Sequence, residues 1–360
     1  MSLTESHVDE ATLEWFGAIG YAVAHGPALG PGEPGEERGS YHDVVLLDRL
    51  RAALTALNPT IPAGALEDAQ RAVLRTASPL PHENNRRFHR LLTQGVDVEL
   101  RNAEGRVIHD KAWLVDFEHP EKNDWLVVNQ YTVIEGSKTR RPDVVVFING
   151  LPLAIIELKN AADEDATIRS AFHQLQTYKY DIPVLFLFNA VMVVSDGLEA
   201  RMGTVTSDWE RFLPWRTIEG RDVAPKGTPE LEVLLKGVFE KERFLDLLRS
   251  FIVFEVDGPK IAKKLAGYHQ FHAVRKAVDA TVRASSPRGD RRVGVVWHTQ
   301  GSGKSLSMVF YAGKVAVTPA MANPTVVVLT DRNDLDDQLF GTFSLCTSRR
   351  RRRDRCRAST

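Results

Sequence analysis

The stretch RPDVVVFINGLPLAIIELKN, residues 141–160, decides the reading of this chain. Two apolar runs flank Asn149-Gly150, the dipeptide that most strongly signals a tight β-hairpin. Charged residues stand only near its ends: Asp143 at the start of the first run, Glu157 and Lys159 at the end of the second. An ionised group in an apolar interior costs several kcal/mol, roughly, unless it finds a partner or a metal, so these three need an explanation. Glu157 and Lys159 are two apart and share one face of their strand. The hairpin brings Asp143 back towards them. A plain two-residue turn, however, pairs Ile148 with Leu151 and sets Asp143 opposite Ile156, on the wrong face. The spacing therefore predicts a bulge or bend that restores the parity.

Two carboxylates converging at a strand end suit a hard divalent cation such as Mg²⁺, and a lysine beside them can orient a nucleophile or offset developing negative charge. That is the chemistry of phosphodiester hydrolysis. A solvated Glu–Lys pair at a frayed strand end fits the bare spacing equally well.

Outward from the hairpin, residues 1–30 read as a helix and a glycine-rich turn, and 41–75 as helical, broken at Asn58-Pro59. Residues 87–135 read as strands: DVEL, KAWLVDF and DWLVVNQYTVI. After the hairpin come a helix over about 164–180 and strands PVLFLFNA and VMVVSDG. The order is that of an α/β unit. GRDVAPKGTPE (220–230) is the linker candidate. Beyond it, helical patterns run to about Arg249 and from Gln270 to Arg283. RRVGVVWHT (291–299) reads as a buried strand, 305–317 as a helix and PTVVVLTD (324–331) as a second strand, the start of a parallel sheet.

Between those two strands lies Thr299-Gln300-Gly301-Ser302-Gly303-Lys304-Ser305. Glycines let a backbone wrap a phosphate, and a helix N-terminus offers free amides to it. Lys304 would neutralise the β- and γ-phosphates of a nucleotide such as ATP, and Ser305 would ligate its Mg²⁺. His298 stands where the general pattern has glycine.

Composition sets the bounds. The chain has 360 residues, 43% hydrophobic, with a net charge of -1, so no global basic field advertises nucleic acid, although a local groove stays open. Its two cysteines, Cys346 and Cys356, exclude a disulfide framework and a four-cysteine zinc site. There is no secretory signal, membrane span or internal repeat to be read, which makes the cytoplasm the expected location. The end, TSRRRRRDRCRAST (347–360), holds seven arginines; without it 39 basic residues face 46 acidic ones, a net of -7. It reads either as a basic arm or as an aberrant, disordered tail after a change of frame.

Arg141-Pro142-Asp143 followed by Glu157-Leu158-Lys159 resembles the PD-(D/E)xK nucleases. The fuller string, with AFHQLQTYKY (171–180), resembles the nuclease domain of the R (HsdR) subunit of type I restriction enzymes, whose Gln-x-x-x-Tyr motif falls on Gln174 and Tyr178. On residues alone, an amphipathic helix packing Tyr178 on the sheet explains that pair as well. The loop at 299–305 has the form seen in superfamily 2 helicases and translocases. Gln270 in GYHQFHAV (267–274) resembles that family's adenine-reading glutamine, although a polar helix start fits too. Thr330, Asp331 and Arg332 resemble its motif Ia, near DNA.

The resemblance implies a restriction-endonuclease-like α/β domain over 1–225 and an incomplete RecA-like parallel-sheet domain over 226–346. Asp143 and Glu157 would hold Mg²⁺ and Lys159 would assist the attacking water, with Gln174 and Tyr178 in support; Glu14 is a further acidic candidate. It implies ATP-dependent cleavage of double-stranded DNA in a complex with modification and specificity subunits. With no downstream acidic motor motif in the sequence, the chain by itself is expected not to translocate. The other readings are a non-catalytic DNA- or nucleotide-binding remnant and a stand-alone nuclease. A RecB-like repair nuclease, where the motor comes first, fits the order of motifs less well.

Overall fold

The computed structural model describes residues 5–101, 105–159 and 167–329. It divides into two compact units, residues 1–249 and 250–360. The division thus falls past the expected 225/226 boundary, because residues 230–249 pack into the first unit. The arginine-rich tail, both cysteines and Thr330, Asp331 and Arg332 lie outside the described residues.

In chain order the first unit comprises α1 (Glu5–Ala18), β1 (Ala22–His25), α2 (Leu47–Leu57), α3 (Ala63–Leu74), α4 (Pro81–Gln94), β2 (Val96–Arg101), β3 (Val107–Ala112), β4 (Trp125–Asn129), β5 (Val133–Glu135), β6 (Lys138–Arg140), β7 (Val144–Ile148) and β8 (Leu151–Leu158). It continues with α5 (Ile168–Asp181), α6 (Pro183–Phe186), β9 (Val191–Ser195), β10 (Ala200–Gly203), α7 (Glu230–Val238) and α8 (Lys241–Ser250). A six-stranded mixed sheet, ordered β1-β4-β7-β8-β9-β10, forms its centre. The pairs β1–β4 and β8–β9 are parallel and the rest antiparallel. Every residue of β7 and β8 is buried, which is why both read as unbroken apolar runs rather than alternating ones. Helix α5 makes the crossover that a parallel β8–β9 pair requires and packs on both strands, while α1 packs on β1, β4 and β8.

The hairpin turns on Asn149 (φ 53°) and Gly150 (φ 76°), two consecutive left-handed residues as a tight primed turn demands. The expected irregularity is present. Ile148 faces Leu151 and Phe147 faces Pro152, but Val146 faces Ala154, so Leu153 is the extra residue. Proline has no N–H for the ladder, so the break falls beside Pro152. Beyond it Val144 faces Ile156, and the same register carried one pair further sets Asp143 opposite Glu157.

Three expectations fail here for physical reasons. PVLFLFNA is not a strand. Pro183 starts the short α6, and the Asn85 side chain donates to the carbonyls of Phe186 (2.8 Å), Leu187 (3.3 Å) and Asn189 (2.7 Å), so the ladder beside β8 begins only at Val191. Asn85→Ala would leave those buried carbonyls unpaired. It is expected to cost about 2–3 kcal/mol in a denaturant melt. Residues 81–94 form a helix, not a strand, and β1 is an additional short edge strand.

The third failure concerns the second unit, which contains β11 (Ile252–Asp257), β12 (Lys260–Leu265), α9 (Tyr268–Ser285) and α10 (Lys304–Val317). β11 and β12 form an antiparallel hairpin, and Phe251 packs against Phe271 and Phe310 at ring-centroid distances of 4.5 and 5.6 Å. The expected parallel sheet is absent among the described residues. Residues 293–298 and 324–329 are unpaired and largely exposed, Val295 at 92% and Trp297 at 88%. A parallel strand holds only with ladder partners and covered faces, and neither segment has them among the described residues.

Candidate active site and phosphate loop

The paired acids sit at one end of the central sheet, where β7 begins and β8 ends. Glu157 is fully buried and Asp143 is 8% exposed. Asp143 Oδ2 accepts from the Leu158 amide at 2.8 Å, which ties the start of β7 to the end of β8. Lys159 Nζ donates to Glu157 Oε1 at 3.2 Å, while Glu157 Oε2 is buried with no hydrogen-bond donor. Burial first, and the neighbouring Asp143 charge second, push the Glu157 carboxyl well above the usual carboxylate range; Lys159 opposes them. The Lys159 amide donates to the Ser195 carbonyl at 2.8 Å, so the end of β9 fixes the backbone that carries the lysine.

On α5, Gln174 and Tyr178 lie one turn apart, and Gln174 Nε2 donates to the Tyr178 hydroxyl at 2.6 Å. Burial and then the charge of Glu157 hold the phenol well above its ordinary pKa, so Tyr178 keeps its proton at any physiological pH. The structure therefore brings Asp143, Glu157, Lys159, Gln174 and Tyr178 to one end of the sheet. Glu14 does not join them. It is exposed on α1, whose buried residues Val8, Thr12 and Phe16 lie on another face. The acid that α1 turns to the sheet is Asp9, which accepts from Asn129 Nδ2 at 2.7 Å, and Asn129 Oδ1 in turn meets His25 Nδ1 at 2.8 Å. Its helical phase relative to Val8 and Thr12 was the sequence signal for that choice.

Among the described residues no group of three His, Cys, Asp or Glu side chains is arranged to hold a metal. Two carboxylates nevertheless suit a hard octahedral cation that keeps several waters, and an acid oxygen buried without a donor is the position such a cation would satisfy.

In the second unit, Thr299–Ser305 forms a turn that leads into α10, with Gly301 (φ 81°) and Gly303 (φ 75°) left-handed. Ser302 Oγ donates to the Thr299 carbonyl, and Lys304 Nζ folds back onto the carbonyls of His298 and Thr299, both at 3.1 Å. Gln300 is exposed and Ser305 half-buried. Gln270 is buried and fully engaged: its Oε1 accepts from the Gly267 amide, and its Nε2 donates to the Gly303 carbonyl at 3.0 Å. Here Gln270 braces the loop through both ends of its amide. His269 adds a second brace, donating from Nε2 to the Ser302 carbonyl at 3.1 Å.

A mixed α/β domain with acids and a lysine at the sheet end, followed by a glycine loop at a helix start, defines a class that comparison makes specific. Residues 2–211 match the family described as Type I restriction enzyme R protein N terminus, and the chain belongs to that family. Residues 269–359 match SWI2/SNF2 ATPase. The chain is 42% identical over 347 residues to the type I restriction enzyme HindI endonuclease subunit of Haemophilus influenzae, an alignment covering 95% of this chain and 33% of that protein. It is 38% identical over 361 residues to the putative MjaIXP endonuclease subunit of Methanocaldococcus jannaschii, covering 94% and 34%. The chain thus spans about a third of the length of these relatives. No helix of the described residues is long and apolar enough to cross a membrane.

Proposed function

We propose that the first unit is a PD-(D/E)xK nuclease acting on double-stranded DNA. The observation that carries this reading is the fully buried Glu157, one oxygen on Lys159 and the other without a donor, in register with Asp143. Asp143 and Glu157 are the residues to hold Mg²⁺, which when bound would polarise the phosphodiester and make a water more acidic. Lys159, fixed by Glu157 and the end of β9, supplies a positive charge beside the attacked phosphate. Tyr178, pinned by Gln174, serves as a neutral donor rather than as a base.

In the second unit, Thr299–Ser305 is the seat of ATP, with Lys304 leaving the loop carbonyls for the β- and γ-phosphates and Ser305 meeting the nucleotide's Mg²⁺. Residues 250–329 would belong to a RecA-like fold, a reading that rests on the loop and on the SWI2/SNF2 match rather than on a paired sheet. The similarity to endonuclease subunits of type I restriction enzymes supports the role of R subunit; its partners would then be modification and specificity subunits. Lys304→Ala is expected to weaken binding of a fluorescent ATP analogue at least about tenfold, since it removes a charge-assisted contact.

The deciding experiment is nicking of supercoiled plasmid with Mg²⁺, with and without ATP and the modification and specificity subunits, beside Glu157→Gln. Cleavage that the variant lacks supports the reading. Equal cleavage by the variant, or none from a cooperatively folded chain under any condition, overturns it.

A further inference from the structure

Beside the paired acids lies an open cavity of about 560 Å³. Its wall includes Gln130, Thr139, Arg141, Asp143, His173 and Tyr178. Asp143 is the only carboxylate on that wall; the remaining lining residues offer N–H and O–H groups. The two arginines at its rim differ. Arg140 is committed to the buried Asp181, with Nε 2.8 Å from Oδ2 and Nη2 2.5 Å from the same oxygen. Arg141 is exposed and forms no hydrogen bond or ion pair among the described residues. The cavity therefore holds a guanidinium with its fork of donors uncommitted, two residues from Asp143.

The backbone that carries Arg141 is held firmly. Pro142 restricts the residue before it to extended conformations. The Pro142 carbonyl accepts from the Tyr131 amide at 3.2 Å and the Asp143 carbonyl from the Gln130 amide at 2.7 Å. Gln130 is itself left-handed, with φ 51°, a conformation uncommon for a residue with a side chain. Gly26 packs so closely beneath it that a Cβ there would sit 2.5 Å from the Gln130 carbonyl oxygen. Strain of this kind persists where surroundings over-determine a residue, and it clusters at ligand sites.

We infer that this cavity is a subsite for a DNA backbone phosphate next to the one attacked, and that Arg141 is its charged ligand. A planar fork matches two phosphate oxygens, and amide, hydroxyl and phenol donors complete such a site, while the charge of Arg140 is already met by Asp181. The inference rests on the nuclease reading for its choice of ligand. It gives Arg141 a binding role that the motif Arg-Pro-Asp leaves unassigned.

The test is equilibrium binding of a short labelled DNA duplex by the full chain, with Ca²⁺ replacing Mg²⁺, followed across a range of salt. Arg141→Ala is expected to weaken binding about tenfold at low salt and to flatten the plot of log affinity against log salt by about 0.9, the loss of one phosphate contact. Arg141→Lys keeps the slope while losing part of the affinity. Arg221→Ala, an exposed arginine outside the site, leaves both unchanged. An unchanged slope in Arg141→Ala, an equal change in Arg221→Ala, or no duplex binding by the unaltered chain overturns the subsite. The nuclease reading stands or falls separately, on Glu157→Gln in the plasmid assay.

Discussion

Glu157→Gln is expected to lower DNA cleavage at least about 1000-fold, roughly 4 kcal/mol of transition-state stabilisation, while leaving the chain folded. The amide keeps the shape of the side chain and an acceptor for Lys159, but it cannot carry the charge that holds a cation. The same substitution has a signature in stability. In the unfolded chain Glu157 titrates in the ordinary carboxylate range; in the folded chain burial and Asp143 hold its pKa well above that. The folded state thus binds the proton more tightly. Its contribution to stability is fully present below the ordinary range and is lost as pH rises towards the folded value, at about 1.4 kcal/mol per pH unit within that window. Glu157→Gln has no such titration, so it gains on the unaltered chain as pH rises through the window. Mg²⁺ at pH 8 should raise the melting temperature of the unaltered chain and not that of the variant. Melts at pH 5 and pH 8, with and without Mg²⁺, check all of this. Parallel pH profiles for the two proteins would show that Glu157 does not carry the buried charge.

Gly150→Ala is expected to cost about 3 kcal/mol or more. The residue is left-handed, which alone costs a residue with a side chain about 1–2 kcal/mol. A Cβ there would sit 2.3 Å from the Leu46 carbonyl oxygen and 3.0 Å from the Leu50 amide, both backbone atoms at the start of α2, so the helix would have to move. The Leu46 amide also donates to the Gly150 carbonyl at 2.9 Å, and that tie would be strained as well. For a domain of this size the melting temperature should fall by roughly 6–12 °C. Gly17→Ala is the control: it lies in α1 with nothing within 4 Å of a new Cβ, and is expected to be neutral or mildly stabilising. Equal melting temperatures for the two variants would refute the close-approach argument.

These two positions show why the hairpin was legible. Asn149-Gly150 fixes the turn, unbroken apolar runs mark strands buried on both faces, and the parity of Asp143 against Glu157 required an irregularity that Leu153 supplies. The neighbouring elements were less legible because side chains far along the chain decide them. The inward face of α4 is partly polar, Asn84, Asn85 and His89 beside Phe88 and Leu92, so it gave a poor apolar period. Asn85 then turned PVLFLFNA away from the sheet. A short apolar run is compatible with either state until its carbonyls have partners. The same ambiguity governs 293–298, whose apolar residues predicted a strand that has no ladder among the described residues. At the site itself, residue identities left Gln174 and Tyr178 open between packing and support of the acids, and only the resemblance grouped them with Asp143 and Glu157. Neither could tell that Arg140 would be spent on Asp181 and Arg141 left open, since that difference depends on where α5 ends.

The extra residue at Leu153 also bears on how such a motif can be inherited. Thirteen residues separate the two acids, and one of them is absorbed without a partner across the ladder. Losing or gaining a single residue in that interval would keep both acids in the sequence yet turn one of them to the far side of the sheet. A change of two would only shorten or lengthen the ribbon. What must be conserved between descendants is therefore whether the count is odd or even once bulges are subtracted, not the count itself. Alignments of this segment should show length changes in twos, or single steps matched by the loss or gain of a proline like Pro152.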